Sequence, residues 1–145
     1  MKRPAQLGKA DKELIAAATA AIKLRYRDDW QEVGAALRTR SGKIFTGVNL
    51  DAYLGRMAVC AEAVALGRAF VDLGDDGIAM IVAVRHPPPG AKDQTISVVS
   101  PCGACRELIF DYDPKARVIV PNGRSAKAVP IAELLPNKYS RGPER

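Results

Sequence analysis

The sequence predicts an α/β fold: a three-layer α/β/α sandwich on a mixed sheet of five strands. Three observations carry that expectation. Two strand-like runs joined by a short glycine-containing link make an opening hairpin, and after it helical and strand-like stretches alternate. The longest apolar run, 78–84, has seven residues; it suits a strand covered on both faces, since a membrane span needs about twenty. Finally, 145 residues without a repeat, linker or low-complexity stretch make one domain, 1–145, with ends at about 1–9 and 138–145 expected to be mobile.

Asp11 can cap a first helix, whose apolar positions Leu14, Ile15, Ala18, Ala21 and Ile22 follow the i, i+3, i+4, i+7 pattern up to the charged turn at 25–29. Strands follow at 33–39 and 44–49, linked through Gly42, and then a loop at 51–57. A second helix starts near 58–60 and runs to Gly74, a residue suited to the left-handed position just past a helix end. The strand at 78–85 stops at Pro87-Pro88-Pro89-Gly90, and the strand at 95–99 runs directly into Pro101-Cys102. A third helix, 102–112, is closed by Asp113-Pro114. The chain ends in a strand at 117–120, a turn at Asn122-Gly123 and a short helix at 130–135 before Pro136.

The formal charge is +6, but much of the excess sits at the ends, in Lys2, Arg3, Lys9, Lys138, Arg141 and Arg145. Charged ends are more often solvated tails than binding surfaces, so nucleic acid is disfavoured as a partner. Three cysteines, an odd number, with no basic-led apolar segment at the start, point to the cytoplasm and to thiols kept for metal or catalysis.

All three cysteines fall in two segments, Cys60-Ala61-Glu62 and Pro101-Cys102-Gly103-Ala104-Cys105-Arg106. Cys102 and Cys105, spaced i, i+3 at a helix start, turn both sulfurs to one face and can reach one metal at about 2.3 Å. Cys60 brings a third sulfur from another helix start. Three protein ligands on zinc leave a place for water, whose pKa falls to about 7 there. Unpaired N–H groups at the two helix N-termini should stabilise the thiolates of Cys60 and Cys102. Glu62 is rotated about 200° around its helix from Cys60, so it is a poor co-ligand. It is placed instead to exchange protons with a water on the open side. Two plainer readings stay open on the residues alone: a closed Cys₃His site using His86, the single histidine, or three thiols buried as small apolar groups.

Together with Val33-Gly34-Ala35-Ala36-Leu37 and Gly42-Lys43-Ile44-Phe45-Thr46-Gly47-Val48-Asn49, these segments resemble the small cytidine deaminase family, from about the first helix to Pro136. Zinc deaminases carry such a thiol set, a nearby Glu and a P-C-x-x-C segment. The resemblance implies Cys60, Cys102 and Cys105 as zinc ligands and Glu62 as proton shuttle. It implies Asn49 and Asp51 as partners of the sugar hydroxyls, with the backbone at Ala61 and Ser100 facing the base and its exocyclic amine. It further implies a cytoplasmic homotetramer in pyrimidine salvage. Its reaction would be hydrolytic deamination at C4 of a free cytosine nucleoside, cytidine or 2′-deoxycytidine, to the uridine and ammonia. The alternative is blasticidin S deaminase-like activity on a cytosine nucleoside antibiotic, ahead of a nucleic-acid deaminase or a non-catalytic zinc-binding domain.

The chain also departs from the family's pattern. Asp51 is one methylene shorter than the Glu of the usual Asn-x-Glu, and Ala63 stands where Cys-Ala-Glu-Arg has its cation, which leaves Arg106 or Arg68 to replace it. Asp28-Asp29-Trp30 and Glu133-Leu134-Leu135-Pro136 with Tyr139 also resemble the blasticidin S deaminases, which act on a cytosine nucleoside antibiotic.

Overall fold

The computed structural model describes residues 6–142. The ends expected to be mobile lie partly outside that range, at 1–5 and 143–145. Helix α1 spans Lys9–Arg25 and is followed by strands β1 (Val33–Arg38) and β2 (Ile44–Val48). A 3₁₀ turn at Gly55–Met57 leads to α2 (Ala61–Leu73), β3 (Met80–Arg85), β4 (Ser97–Val99) and α3 (Gly103–Tyr112). The hairpin of β5 (Arg117–Asn122) and β6 (Ser125–Pro130) ends in a 3₁₀ turn at Ile131–Leu134.

The expected mixed sheet is present with six strands rather than five. Five lie in the order β2-β1-β3-β5-β6, and β4 pairs with β3 off that path. Only the β3–β5 pair is parallel; it is registered at Met80 with Arg117 and Ile81 with Val118. Farther along the strand, the partner of β3 is β4, antiparallel from Ala83 with Val99 to Arg85 with Ser97. The additional strand is β6. Its hairpin turn has Gly123 at φ 61, between the paired Asn122 and Ser125. A positive φ at the first central residue of a two-residue loop is what a type II′ turn requires, and glycine supplies it without strain.

Strand residues alternate between two cores, as a period of two dictates. Ala35, Leu37, Ile81, Ala83, Val118 and Val120 join Ala61, Ala65, Leu66 and Ala69 of α2 and Ile109 of α3. Ala36, Val82, Val84 and Ile119 face Leu14, Ala18 and Ile22 of α1 on the other side. The three layers are therefore α1, the sheet, and α2 with α3. The α2 layer sits very close to β2: a Cβ on Gly47 would lie 2.6 Å from Ala65 N and 2.8 Å from Ala61 O.

Three helix starts are shifted from the sequence expectation. Gly8 is the N-cap of α1, and Asp11 sits in its first turn, where its carboxylate accepts the Gly8 N–H at 3.0 Å. Cys60 and Cys102 are N-caps of α2 and α3, so the helices proper begin one residue later. At the far end of α3, Asp113 staples three elements. Its Oδ2 accepts from the Ile78 N–H at 2.8 Å and from Arg40 Nε and Nη2 at 3.1 and 2.9 Å, while Oδ1 accepts from the Lys115 N–H at 2.9 Å. Burial opposes its charge, but these donors win and hold its carboxyl below the ordinary range.

Candidate active site

The two N-caps meet. A two-way backbone bridge, Leu50 N–H to Val59 O at 2.9 Å and Val59 N–H to Leu50 O at 2.8 Å, closes the loop between β2 and α2. That closure places Asn49 and Asp51 beside Cys60. On the other side β4 delivers Ser100 and Pro101 to the start of α3. Cys60 Sγ and Cys102 Sγ lie 3.5 Å apart, and all three cysteine sulfurs lie within 4.8 Å of one another. Tetrahedral zinc with bonds of about 2.3 Å puts its sulfurs about 3.8 Å apart, so the set fits one ion.

Charge reinforces the fit. Burial pushes the Cys105 thiol far up, with the Glu62 carboxylate and the other two thiols adding to the effect. Burial, then the Cys102 thiol, raises Cys60 as well, contrary to the lowering expected from its helix N-terminus. The Cys105 thiol pulls the other way through its hydrogen bond, but burial, the Cys102 thiol and the Glu62 carboxylate outweigh it. Cys102 behaves as expected: burial would raise it, but the Cys105 N–H, 3.4 Å from its sulfur, and the hydrogen bonds of the other two thiols lower it. Three crowded thiols, two of them reluctant to ionise, are a donor set that a divalent cation would relieve.

Glu62 lies in the first turn of α2 and is only 5% exposed. Its Oε2 accepts from Cys105 Sγ at 3.6 Å. Burial raises its pKa, against the opposing pull of its own N–H and of the Cys105 thiol. A carboxyl shifted toward neutrality can both accept and return a proton.

A cleft of about 340 Å³ opens in front of these groups. Its lining includes Asn49, Asp51, Cys60, Ala61, Glu62, Ser100 and Cys102, with Val33, Leu50, Val59 and Val99 as apolar walls. The walls were not legible in the sequence, because they depend on the Leu50–Val59 bridge and on the pairing of β4 with β3. The Asn49 side chain is largely committed to the backbone. Its Oδ1 accepts from the N–H groups of Glu32 and Val33 at 2.9 and 3.0 Å, and its Nδ2 donates to Trp30 O at 2.9 Å. One N–H of this cleft-lining residue is left without a partner among the described residues.

Arg106 does not border the cleft. Its Nε donates to Pro101 O at 2.9 Å and its Nη1 to Leu134 O at 3.4 Å, so it ties the residue before Cys102 to the C-terminal turn. Arg68 donates to Thr46 O at 2.6 Å. Neither arginine hydrogen-bonds a cysteine sulfur among the described residues. His86 stacks on Tyr26, with ring centroids 3.7 Å apart, and its Nδ1 meets Pro87 O at 2.7 Å. Among the described residues the group that could hold a metal ion is Cys60, Cys102 and Cys105, and His86 is not part of it, contrary to the Cys₃His reading. Trp30 packs against Tyr53 at 5.4 Å rather than over the cleft.

Three thiols able to hold a metal ion, a buried carboxyl and a cleft are the arrangement expected of a zinc-dependent deaminase. The family model of the cytidine and deoxycytidylate deaminase zinc-binding region matches residues 8–121, and the chain belongs to this family of aminohydrolases. Over 136 residues it is 48% identical to a blasticidin-S deaminase of Bacillus cereus, covering 93% of this chain and 96% of that one. It is 35% identical over 109 residues to a probable cytidine deaminase of Dictyostelium discoideum, covering 75% of this chain and 69% of that one. The crystal structure of a Burkholderia pseudomallei cytidine deaminase superposes with a TM-score of 0.69 at 30% identity, over 88% of this chain and 98% of that one. The cytidine deaminase of Bacillus anthracis, at 23% identity and a TM-score of 0.74 over 88% of both chains, shares the fold.

Proposed function

We propose that this chain hydrolyses the exocyclic amine at C4 of the cytosine ring in a free nucleoside or nucleoside analogue, releasing ammonia. The observation that supports this reading most is the convergence of three sulfurs and one buried carboxyl at a single end of the cleft. In this reading Cys60, Cys102 and Cys105 hold zinc. Zinc bound by three thiolates with one place open supplies an acidified water as nucleophile. Glu62 would take one proton from the attacking water and give it to the ring nitrogen, then take the second proton from the hydroxyl that has formed on C4 and give it to the leaving amine, so that the carboxylate is restored as ammonia departs. The backbone at Ala61 and Ser100 orients the base, and the free N–H of Asn49 with the Asp51 carboxylate meets the sugar. The apolar walls exclude bulk water and strengthen each of these contacts.

The identity to the Bacillus cereus blasticidin-S deaminase favours a second substrate for the same chemistry, the antibiotic blasticidin S. Apolar side chains exposed in the segment between Asp51 and Ala58, Tyr53 at 98%, Leu54 at 61% and Met57 at 62%, support an interface with further copies of the chain, as the homotetramer implied by the family resemblance requires. No described helix is long and apolar enough to cross a membrane. The three free thiols suit a reducing compartment, which supports the cytoplasm.

The test is ammonia release from cytidine, 2′-deoxycytidine, blasticidin S and a cytosine-containing single-stranded oligonucleotide, on zinc-loaded protein whose mass has been set by light scattering. Turnover of at least one free nucleoside by a species of four chains is expected. Inactivity on all three nucleosides would remove the substrate assignment, deamination of the oligonucleotide alone would replace it, and a monomeric active species would remove the tetramer.

A further inference from the structure

Pro101 is a buried link between two residues of the cleft lining, Ser100 ahead of it and the Cys102 cap behind it. Proline has no N–H, so its carbonyl is the one backbone group through which a hydrogen bond can hold Pro101. That carbonyl stands outside the ladder of α3, where the Arg106 N–H donates to Cys102 O at 2.9 Å. The Arg106 side chain reaches back along its own helix to take it: Nε donates to Pro101 O at 2.9 Å, while Nη1 donates to Leu134 O at 3.4 Å. Arg106 has no ion pair among the described residues, so its fork is spent on two carbonyls far apart in sequence. Leu134 is held in its turn. Past Pro136 the chain bends at Asn137, whose φ of 55 is left-handed, and Lys138 then lies on α3. Its ammonium pairs with Glu107 Oε2 at 2.8 Å and Asp111 Oδ1 at 2.7 Å, one helical turn apart, and sits 5.2 Å from the centre of the Phe110 ring. With 9% of the Lys138 side chain exposed, this pairing is better shielded than an ordinary surface ion pair. Residues 134–138 are thus a strap fastened to α3 at both ends.

We propose that Arg106 is a positioning residue of the active site and that the C-terminal strap works through it. By fixing the Pro101 carbonyl, Arg106 sets the direction in which the backbone passes from Ser100 to Cys102. It thereby sets the place of the Cys102 sulfur and of the Ser100 backbone relative to the start of α2, where Cys60 and Glu62 stand. Lys138 keeps Leu134 within reach of the same guanidinium. The role is one of geometry and not of charge alone, since a planar fork can hold two carbonyls at once, whereas an ammonium is a point charge on a flexible stem. This role rests on the deaminase reading above, in which Cys102 binds zinc and Ser100 meets the base. It makes zinc retention depend on side chains that touch neither metal nor substrate.

The experiment compares the wild type with Arg106→Gln, Arg106→Lys, Lys138→Met, and Arg106→Gln combined with Lys138→Met. Zinc affinity is read by chelator competition without nucleoside, and kcat and KM are read at saturating zinc with cytidine and with blasticidin S. Arg106→Gln should weaken zinc affinity by about ten- to hundredfold, the range for losing a group that orients a metal ligand. It should also raise KM more than it lowers kcat, because the Ser100 backbone is displaced; a mere loss of folded protein would lower kcat alone. Arg106→Lys should fall nearly as far, and Lys138→Met should weaken zinc affinity by about threefold. Combined with Arg106→Gln, Lys138→Met should add less than it costs by itself. Wild-type zinc affinity in Arg106→Gln, or full rescue by Arg106→Lys, overturns the positioning role. If Arg106→Gln does not fold, wild-type zinc affinity in both Arg106→Lys and Lys138→Met overturns the proposal. Unchanged zinc affinity in Lys138→Met, or additive effects in the combined protein, overturns the part given to the strap. Zinc affinity that responds as expected in a protein releasing ammonia from neither nucleoside overturns the deaminase reading and leaves Arg106 its role. Turnover with zinc affinity indifferent to Arg106 does the reverse, and a wild type that binds no zinc overturns both.

Discussion

Asn49 carries two duties that the sequence shows as one. Asn at a strand end followed by Asp reads as a sugar-binding pair, whereas the structure spends three of the side chain's four hydrogen bonds on the backbone of Trp30, Glu32 and Val33. Those partners are distant in sequence, so nothing local reveals them. Asn49→Ala should therefore lower stability as well as affinity, by about 1–3 kcal/mol, because two part-buried N–H groups lose their acceptor. A urea midpoint matching the wild type would contradict this and leave Asn49 a substrate contact alone. The thiols and Glu62 were legible for the opposite reason. Their chemistry is rare and their spacing strict, so Cys60, Cys102, Cys105 and Glu62 could be placed without knowing the path of the chain between them. What the residues could not give was the sign of the Cys60 shift, which depends on how deeply its neighbours crowd it.

At the scale of elements, the first turn of α2 matters most, since it holds the Cys60 cap and Glu62 together. That turn is set against β2 by the absence of a side chain at Gly47. Gly47→Ala should cost about 1–3 kcal/mol through overpacking and should also weaken zinc retention, because the new methyl meets the backbone of Ala61 and Ala65 rather than a flexible side chain. Chemical denaturation together with a chelator competition tests both parts; normal zinc retention in a destabilised protein would uncouple Gly47 from the site. The hairpin of β1 and β2, the Gly74 helix end and the Asp113 stop were all readable, since each has a local signal. The β6 strand was not, although Gly123 marked its turn. Ala126, Lys127 and Ala128 have low strand propensity, and the strand exists because β5 provides an edge to pair with.

For the whole molecule, alternation along β1, β3 and β5 divides the apolar side chains between two cores, and this fixes α1 on one face and α2 with α3 on the other. The arrangement brings two helix N-termini to the same end of the sheet, where β4 leaves the side of β3 to start the P-C-x-x-C segment. The layered fold was legible from the hairpin and the later alternation. The cleft was not, because its walls come from four separate segments that only the assembled sheet brings together. The central claim is that this end of the sheet holds zinc through three thiols and moves protons through Glu62. Its most direct test is zinc content and cytidine turnover measured side by side for the wild type and Glu62→Gln. The wild type should carry about one zinc per chain and release ammonia; Glu62→Gln should keep its zinc and lose turnover by a factor of about 10² or more. A wild-type protein that binds no zinc, or a Glu62→Gln protein that turns over normally, would contradict the account.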